Sequence, residues 1–225
     1  MPSRPRHVRH PRHVRHPRLF IAAGTLAAAA LGLLAAAPAA SAQSTVSYVA
    51  LGDSYSSGVG AGNYTSSSGS CDQSPNAYPQ LWANANAPAS FVNETCSGAT
   101  TSSVISSQLG ALNSGTSLVS ITVGGNDVGF SSVMETCVLE STSSCVSAVD
   151  NSESEVANQL PGELNSVLGD IKADAPSARV VVLDYPQLYD LSKSSSCIGL
   201  STTDRTALNQ GASELDSAVQ AAAAR

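Results

Sequence analysis

Histidine is missing from most of this chain. All four (His7, His10, His13 and His16) sit near the amino terminus, and none follows. A reaction built on residues beyond Arg18 therefore has no imidazole to move its protons. Basic side chains are nearly as scarce. Six of the eleven (Arg4, Arg6, Arg9, Arg12, Arg15 and Arg18) fall in that same opening stretch, whereas all 17 acidic residues lie after it. Residues 43–225 keep five basic side chains against 17 acidic ones, a net charge of −12. Nucleic acid and anionic membrane surfaces are poor partners for such a charge. The five cysteines (Cys71, Cys96, Cys137, Cys145 and Cys197) contain no C-x-x-C pair, so zinc ligation and thioredoxin-like redox chemistry have no support.

What the opening stretch does contain reads as a leader. A tandem RHVRHP repeat spans Arg6–Pro17, an Ala/Leu-rich run extends from Leu19 to Ala37, and Ala40-Ser41-Ala42 precedes Gln43. Basic region, apolar region and small-x-small site predict a secretory signal peptide over residues 1–42 and a secreted product without a stable membrane anchor. An uncleaved anchor is the alternative, since the run is almost long enough to span a bilayer; its Ala-rich composition and cleavage site favour removal. The His repeat could be read as metal-binding, but a discarded leader fits it better. Export makes disulfides the default state of the cysteines, and an odd number leaves one thiol over.

Residues 43–225 suffice for one domain with a core. Buried strands are expected at Val46–Leu51 and Ser117–Val123, a third strand at Arg179–Leu183, and a shorter candidate at Ser90–Glu94. Helices are expected at Asn76–Ala87, with Tyr78, Leu81, Trp82 and Ala85 on one face, and at Ser103–Leu112. A stripe of Val156, Leu160, Leu164, Val167, Leu168 and Ile171 predicts another over Glu153–Lys172, distorted by Pro161. The last is Thr202–Ala224, capped by Ser201 or Thr202, with Leu208, Ala212, Leu215 and Val219 inward. Gly62–Pro75 reads as a loop. Val128–Asp150 reads as irregular, with a local Cys137–Cys145 bridge plausible on spacing. Alternating apolar strands and helices predict an α/β fold with a parallel sheet covered on both faces.

In such sheets ligands sit outside the carboxyl ends of the strands. Three polar segments follow strands: Gly52-Asp53-Ser54, Ser97-Gly98 and Gly125-Asn126-Asp127. The topology brings them to one rim. A hydroxyl at Ser54 can attack a carbonyl, while the Ser54 and Gly98 N–H groups and the Asn126 amide can donate to the developing oxyanion. Asp53 and Asp127 are expected to support these loops by local hydrogen bonding. Asp53 can also be read as a simple helix cap. Trp82 and Tyr78 suit packing against the sheet better than lining a pocket, and the Val128–Asp150 excursion is the candidate for substrate contacts. Asn63 and Asn93 begin glycosylation-type triplets, which carry weight only in a host that glycosylates.

GDSYSSGVGAG, SGAT and GGND, in that order, resemble the GDSL-type SGNH hydrolases, especially the secreted actinobacterial lipases and esterases. The resemblance runs from about Tyr48 to the end of the chain. It implies a three-layer α/β/α, flavodoxin-like domain of five parallel strands. It also implies cofactor-free hydrolysis of small-molecule or lipid esters through an acyl-enzyme on Ser54, with Ser54, Gly98 and Asn126 as the oxyanion site and no metal. A monomer is expected. The pairings it implies are Cys71–Cys96 and Cys137–Cys145, with Cys197 unpaired within this chain. The G-x-S-x-G elbow of the α/β-hydrolases is absent. One departure stands out: the family's base is a His near the carboxyl terminus, in Asp-x-x-His, and no such residue is present. Lys172 and Lys193 do not replace it. A missing base, an odd cysteine and a βα unit without its closing strand together predict a record that stops short of the last strand and the His loop, and little esterase activity as written. The alternative is a secreted pseudoenzyme that binds acyl or glycan ligands without cleaving them; acyl transfer to an alcohol is a further possibility.

Overall fold

The computed structural model describes residues 44–196 and 199–225. The leader expected at residues 1–42, the sulfur of Cys197 and its pairing lie outside the described residues. In chain order the elements are β1 (Ser47–Gly52), α1 (Ser54–Ser57), α2 (Tyr78–Asn86), β2 (Ser90–Asn93), α3 (Thr101–Ser107), β3 (Leu118–Thr122), α4 (Phe130–Leu139), α5 (Thr142–Asn158), α6 (Leu160–Asp174), β4 (Arg179–Val182) and α7 (Thr202–Ala223). Short 3₁₀ turns occupy Ser66–Cys71, Leu109–Ala111 and Leu191–Ser196.

The four strands form one parallel sheet in the order β2-β1-β3-β4. Val49 pairs with Val119, and Val119 with Val180; Leu51 pairs with Ile121, and Ile121 with Val182. This register puts those branched side chains on one face, where they meet Val104 of α3, Leu164, Val167 and Ile171 of α6, and Leu215 and Val219 of α7. The other face carries Tyr48 and Ala50, covered by Ala83 and Trp82 of α2. Tyr48 is clamped between Trp82, edge-on at 4.9 Å, and Phe91, stacked at 5.0 Å. The result is the three-layer α/β/α arrangement that the strand–helix alternation predicts. Of the five strands that the resemblance implies, four are found among the described residues. They hold the first four places of the flavodoxin-like order.

Several local expectations need correction. Val128–Asp150 is helical: α4 and the first half of α5 fill it, and the Cys137–Cys145 disulfide staples the two together. Their apolar faces close a satellite core with Val149 and Leu208. Glu153–Lys172 is two helices, since α5 ends at Asn158 and α6 restarts with Pro161 in its first turn. Proline is tolerated there because the first-turn N–H groups have no intrahelical partner. On α2 the buried face is Pro79 and Ala83, and Leu81 is exposed. The helix expected at Ser103–Leu112 starts at Thr101 and tightens into a 3₁₀ turn after Ser107. The last helix begins as expected, with Ser201 and Asp204 forming a reciprocal capping box. No helix among the described residues is long and apolar enough to cross a membrane.

Candidate active site

β1 and β3 are neighbours, but the chain leaves them toward opposite sides of the sheet. This is the switch point at which open α/β sheets form a crevice. Gly52, the last residue of β1, has φ +117°, and a Cβ placed there would lie 2.3 Å from the Thr122 carbonyl oxygen. Only glycine lets the two strand ends approach so closely. The Gln108 side chain then pairs with Gly52 as another strand would. Its Oε1 accepts from the Gly52 N–H at 2.7 Å and its Nε2 donates to the Gly52 carbonyl at 3.0 Å.

Asp53 follows as the N-cap of α1. Its Oδ1 accepts from the Tyr55 N–H at 3.0 Å and from the Thr122 hydroxyl at 2.7 Å, and its Oδ2 accepts from the Tyr185 hydroxyl. Because Thr122 spends its one proton on Asp53, Ser56 must donate to Thr122 (2.7 Å) and Tyr78 to Ser56 (2.8 Å). A file of hydroxyls is thus ordered toward one carboxylate. Burial raises the Asp53 pKa, and the bonds from Tyr185, Thr122 and the local backbone oppose that rise without cancelling it. Tyr185 itself is raised well above its ordinary value by burial and by the Asp53 charge.

Ser54 opens α1 and is half-buried. Among the described residues its hydroxyl has no hydrogen-bond partner, while its carbonyl accepts from Gly58 and Val59. Ser54 and Asn126 line one cavity of about 680 Å³, open mouth included, whose remaining wall is mostly apolar: Phe130 and Val133 of α4, Val149 of α5, and Leu208, Ala212 and Leu215 of α7. Gly98 does not line it. It is exposed at φ +78°, and a Cβ there would meet nothing within 4 Å, so its flank is open to an approaching group. Its loop is nonetheless stitched to both others. The Cys96 N–H donates to the Gly52 carbonyl at 2.9 Å, and Asn126 Nδ2 donates to the Ala99 carbonyl at 2.9 Å. Asp127 accepts from the Thr101 N–H at 3.0 Å and from its hydroxyl at 2.7 Å. The Cys71–Cys96 disulfide anchors the loop from the other side. With one Nδ2 proton on Ala99, Asn126 has a second to offer.

Residues 50–225 match the model of the GDSL-like Lipase/Acylhydrolase family. The chain belongs to this family. It is 52% identical over 206 residues to Lipase 1 of Streptomyces coelicolor, covering 92% of this chain and 75% of that protein. The crystal structure of phospholipase A1 from Streptomyces albidoflavus NA297 superposes with a TM-score of 0.77 at 55% identity, covering 79% of this chain and 75% of that one. The extracellular lipase from Streptomyces rimosus gives 0.77 at 47%, covering 80% and 76%.

In this GDSL-type chain two participants escape sequence reasoning. Tyr185 reads as a mere strand terminus in Asp184-Tyr185-Pro186, and Gln108 as one more helical residue. The signal that could have raised Tyr185 is its place just after a strand, on the rim that gathers the other polar segments. Gln108 has no local signal, because its partner is 56 residues away. Lys172 donates to the Ala178 carbonyl at 3.2 Å, at the turn leading into β4, and Lys193 lies on an exposed 3₁₀ turn. No cluster of His, Cys, Asp and Glu able to hold a metal occurs among the described residues.

Proposed function

We propose that this chain is a secreted lipase-type carboxylic ester hydrolase in which Ser54 forms the acyl-enzyme. The Ser54 and Gly98 N–H groups and the Asn126 carboxamide receive the oxyanion, with Asp53 and Asp127 in support. The observation that carries this reading is the sharing of one apolar cavity by Ser54 and Asn126 at the switch point of the sheet. An aliphatic acyl chain suits that wall. Asn126 also borders a shallow groove with the hydroxyls of Thr100, Ser102 and Ser166, which suits a polar alcohol portion. The Streptomyces relatives, a phospholipase A1 and lipases by name, fit a substrate with those two halves. The alternative of binding without cleavage draws on the absence of histidine after His16. Serine attack without a general base keeps only the part of catalysis due to the oxyanion site and binding, roughly 10³–10⁴ over water in a comparable protease.

Incubation with a p-nitrophenyl alkylphosphonate tests the nucleophile independently of turnover. Ser54 is expected to take up the phosphonyl group slowly but selectively, as read by intact-mass and peptide mass spectrometry, and Ser54→Ala to take up none. Labelling spread over surface serines at the rate of the unfolded chain would dismiss the assignment. Steady hydrolysis of p-nitrophenyl butyrate by this chain is expected to be weak.

A further inference from the structure

We propose that Tyr185 is a positioning residue that sets the spacing between the nucleophile and the oxyanion donors, a role that rests on the hydrolase reading above. Its hydroxyl has one proton, donated to Asp53 Oδ2, and a lone pair that accepts the Gly125 N–H at 3.2 Å. One oxygen thus touches the residue before Ser54 and the residue before Asn126. Tyr185 belongs to neither loop. It follows β4, and its backbone N–H is held by Asp216 Oδ1 of α7 at 2.9 Å. Its ring is braced edge-on by Tyr55 at 5.1 Å and 89°, and by Gly125, where a Cβ would lie 3.4 Å from the phenol.

A purely structural role would end at Asp53, which is already served on Oδ1 by Thr122 and Tyr55. Tyr185 alone adds a tie from that carboxylate to the Gly125 amide. The tie works as a strut of fixed length. Shortening, lengthening or removing it lets the Asn126 carboxamide drift relative to the Ser54 oxygen. Oxyanion sites tolerate about 0.5 Å of drift, and about 1 Å costs on the order of 100-fold in rate.

The test is the rate of Ser54 phosphonylation at rising phosphonate concentration. Tyr185→Phe keeps the ring and its contact with Tyr55. It is expected to lower the limiting rate about tenfold and to leave the half-saturating concentration within about twofold of the parent, because the aromatic ring that Tyr185 contributes to the cavity wall is kept. Tyr48→Phe is the control. It removes another buried hydroxyl, one bonded to Ser120 at 2.6 Å and touching neither Asp53 nor Gly125, and is expected to lower the melting temperature while leaving the limiting rate unchanged. Tyr185→p-aminophenylalanine guards against a Phe variant that folds poorly. The amine donates to Asp53 but accepts weakly from Gly125, so stability is expected to recover while the rate stays low. Full recovery of the rate with the amine, an unchanged rate in Tyr185→Phe, or equal slowing in Tyr48→Phe would each overturn the positioning role and leave the hydrolase reading intact. A parent protein that is never labelled at Ser54 would overturn both.

Discussion

Single residues decide whether the rim of this sheet can exist. Gly52 shows this most sharply, because the space for its Cβ is taken by the Thr122 carbonyl, the Ser56 hydroxyl and the Thr122 nitrogen. Gly52→Ala is expected to cost more than about 4 kcal/mol, the range of severe backbone and overpacking changes. Urea denaturation would measure it, and a loss below about 1 kcal/mol would mean that the two strand ends are free to part. At this scale the sequence was only half legible. A strand running into Gly-Asp-Ser marks the nucleophile, because backbone geometry and helix capping are local. The partners of those residues are not local: Gln108 meets Gly52 across 56 positions and Tyr185 meets Asp53 across 132. No pattern in the neighbourhood of Gln108 or Tyr185 encodes such a meeting.

Among elements, the strands and the last helix were readable from periodicity and caps, whereas the stretch from Val128 to Asp150 was not. Its serines and acids dilute the apolar period, and the helices α4 and α5 rest on tertiary packing against α7 and on the Cys137–Cys145 bridge. The two bridges close segments of different length, with sequence separations of 8 and 25. Loop-closure entropy assigns them about 2.5 and about 3.5 kcal/mol. Paired Cys→Ser variants are therefore expected to lose stability in that order. Opening Cys71–Cys96 should in addition speed amide exchange at Ser97 and Gly98, whereas opening Cys137–Cys145 should leave those amides as they are. Equal exchange in both variants would show that the Gly98 loop does not depend on its bridge.

For the molecule as a whole, charge is the dominant bias. Residues 43–225 carry five basic and 17 acidic side chains, and self-repulsion grows as the acids ionise. Burial raises the pKa of Asp53, Asp216, Glu153 and Glu163, although the two glutamates are largely exposed and count for less. Asp190 is lowered by bonds from Ser192; at Asp204 burial pushes upward but bonds from Ser201 prevail. For the raised group the folded state binds more protons than the unfolded one between the ordinary carboxylate pKa and the raised value. Stability there falls as pH increases. The melting temperature is expected to be higher near pH 5 than at pH 8, with added salt narrowing the gap; a higher value at pH 8 would contradict this balance. A last consequence concerns the apolar cavity, whose wall draws on residues from Asp53 to Leu215. A fatty guest lodged there would rivet the first strand's exit to the final helix, so that heat must evict the guest before it can melt the host.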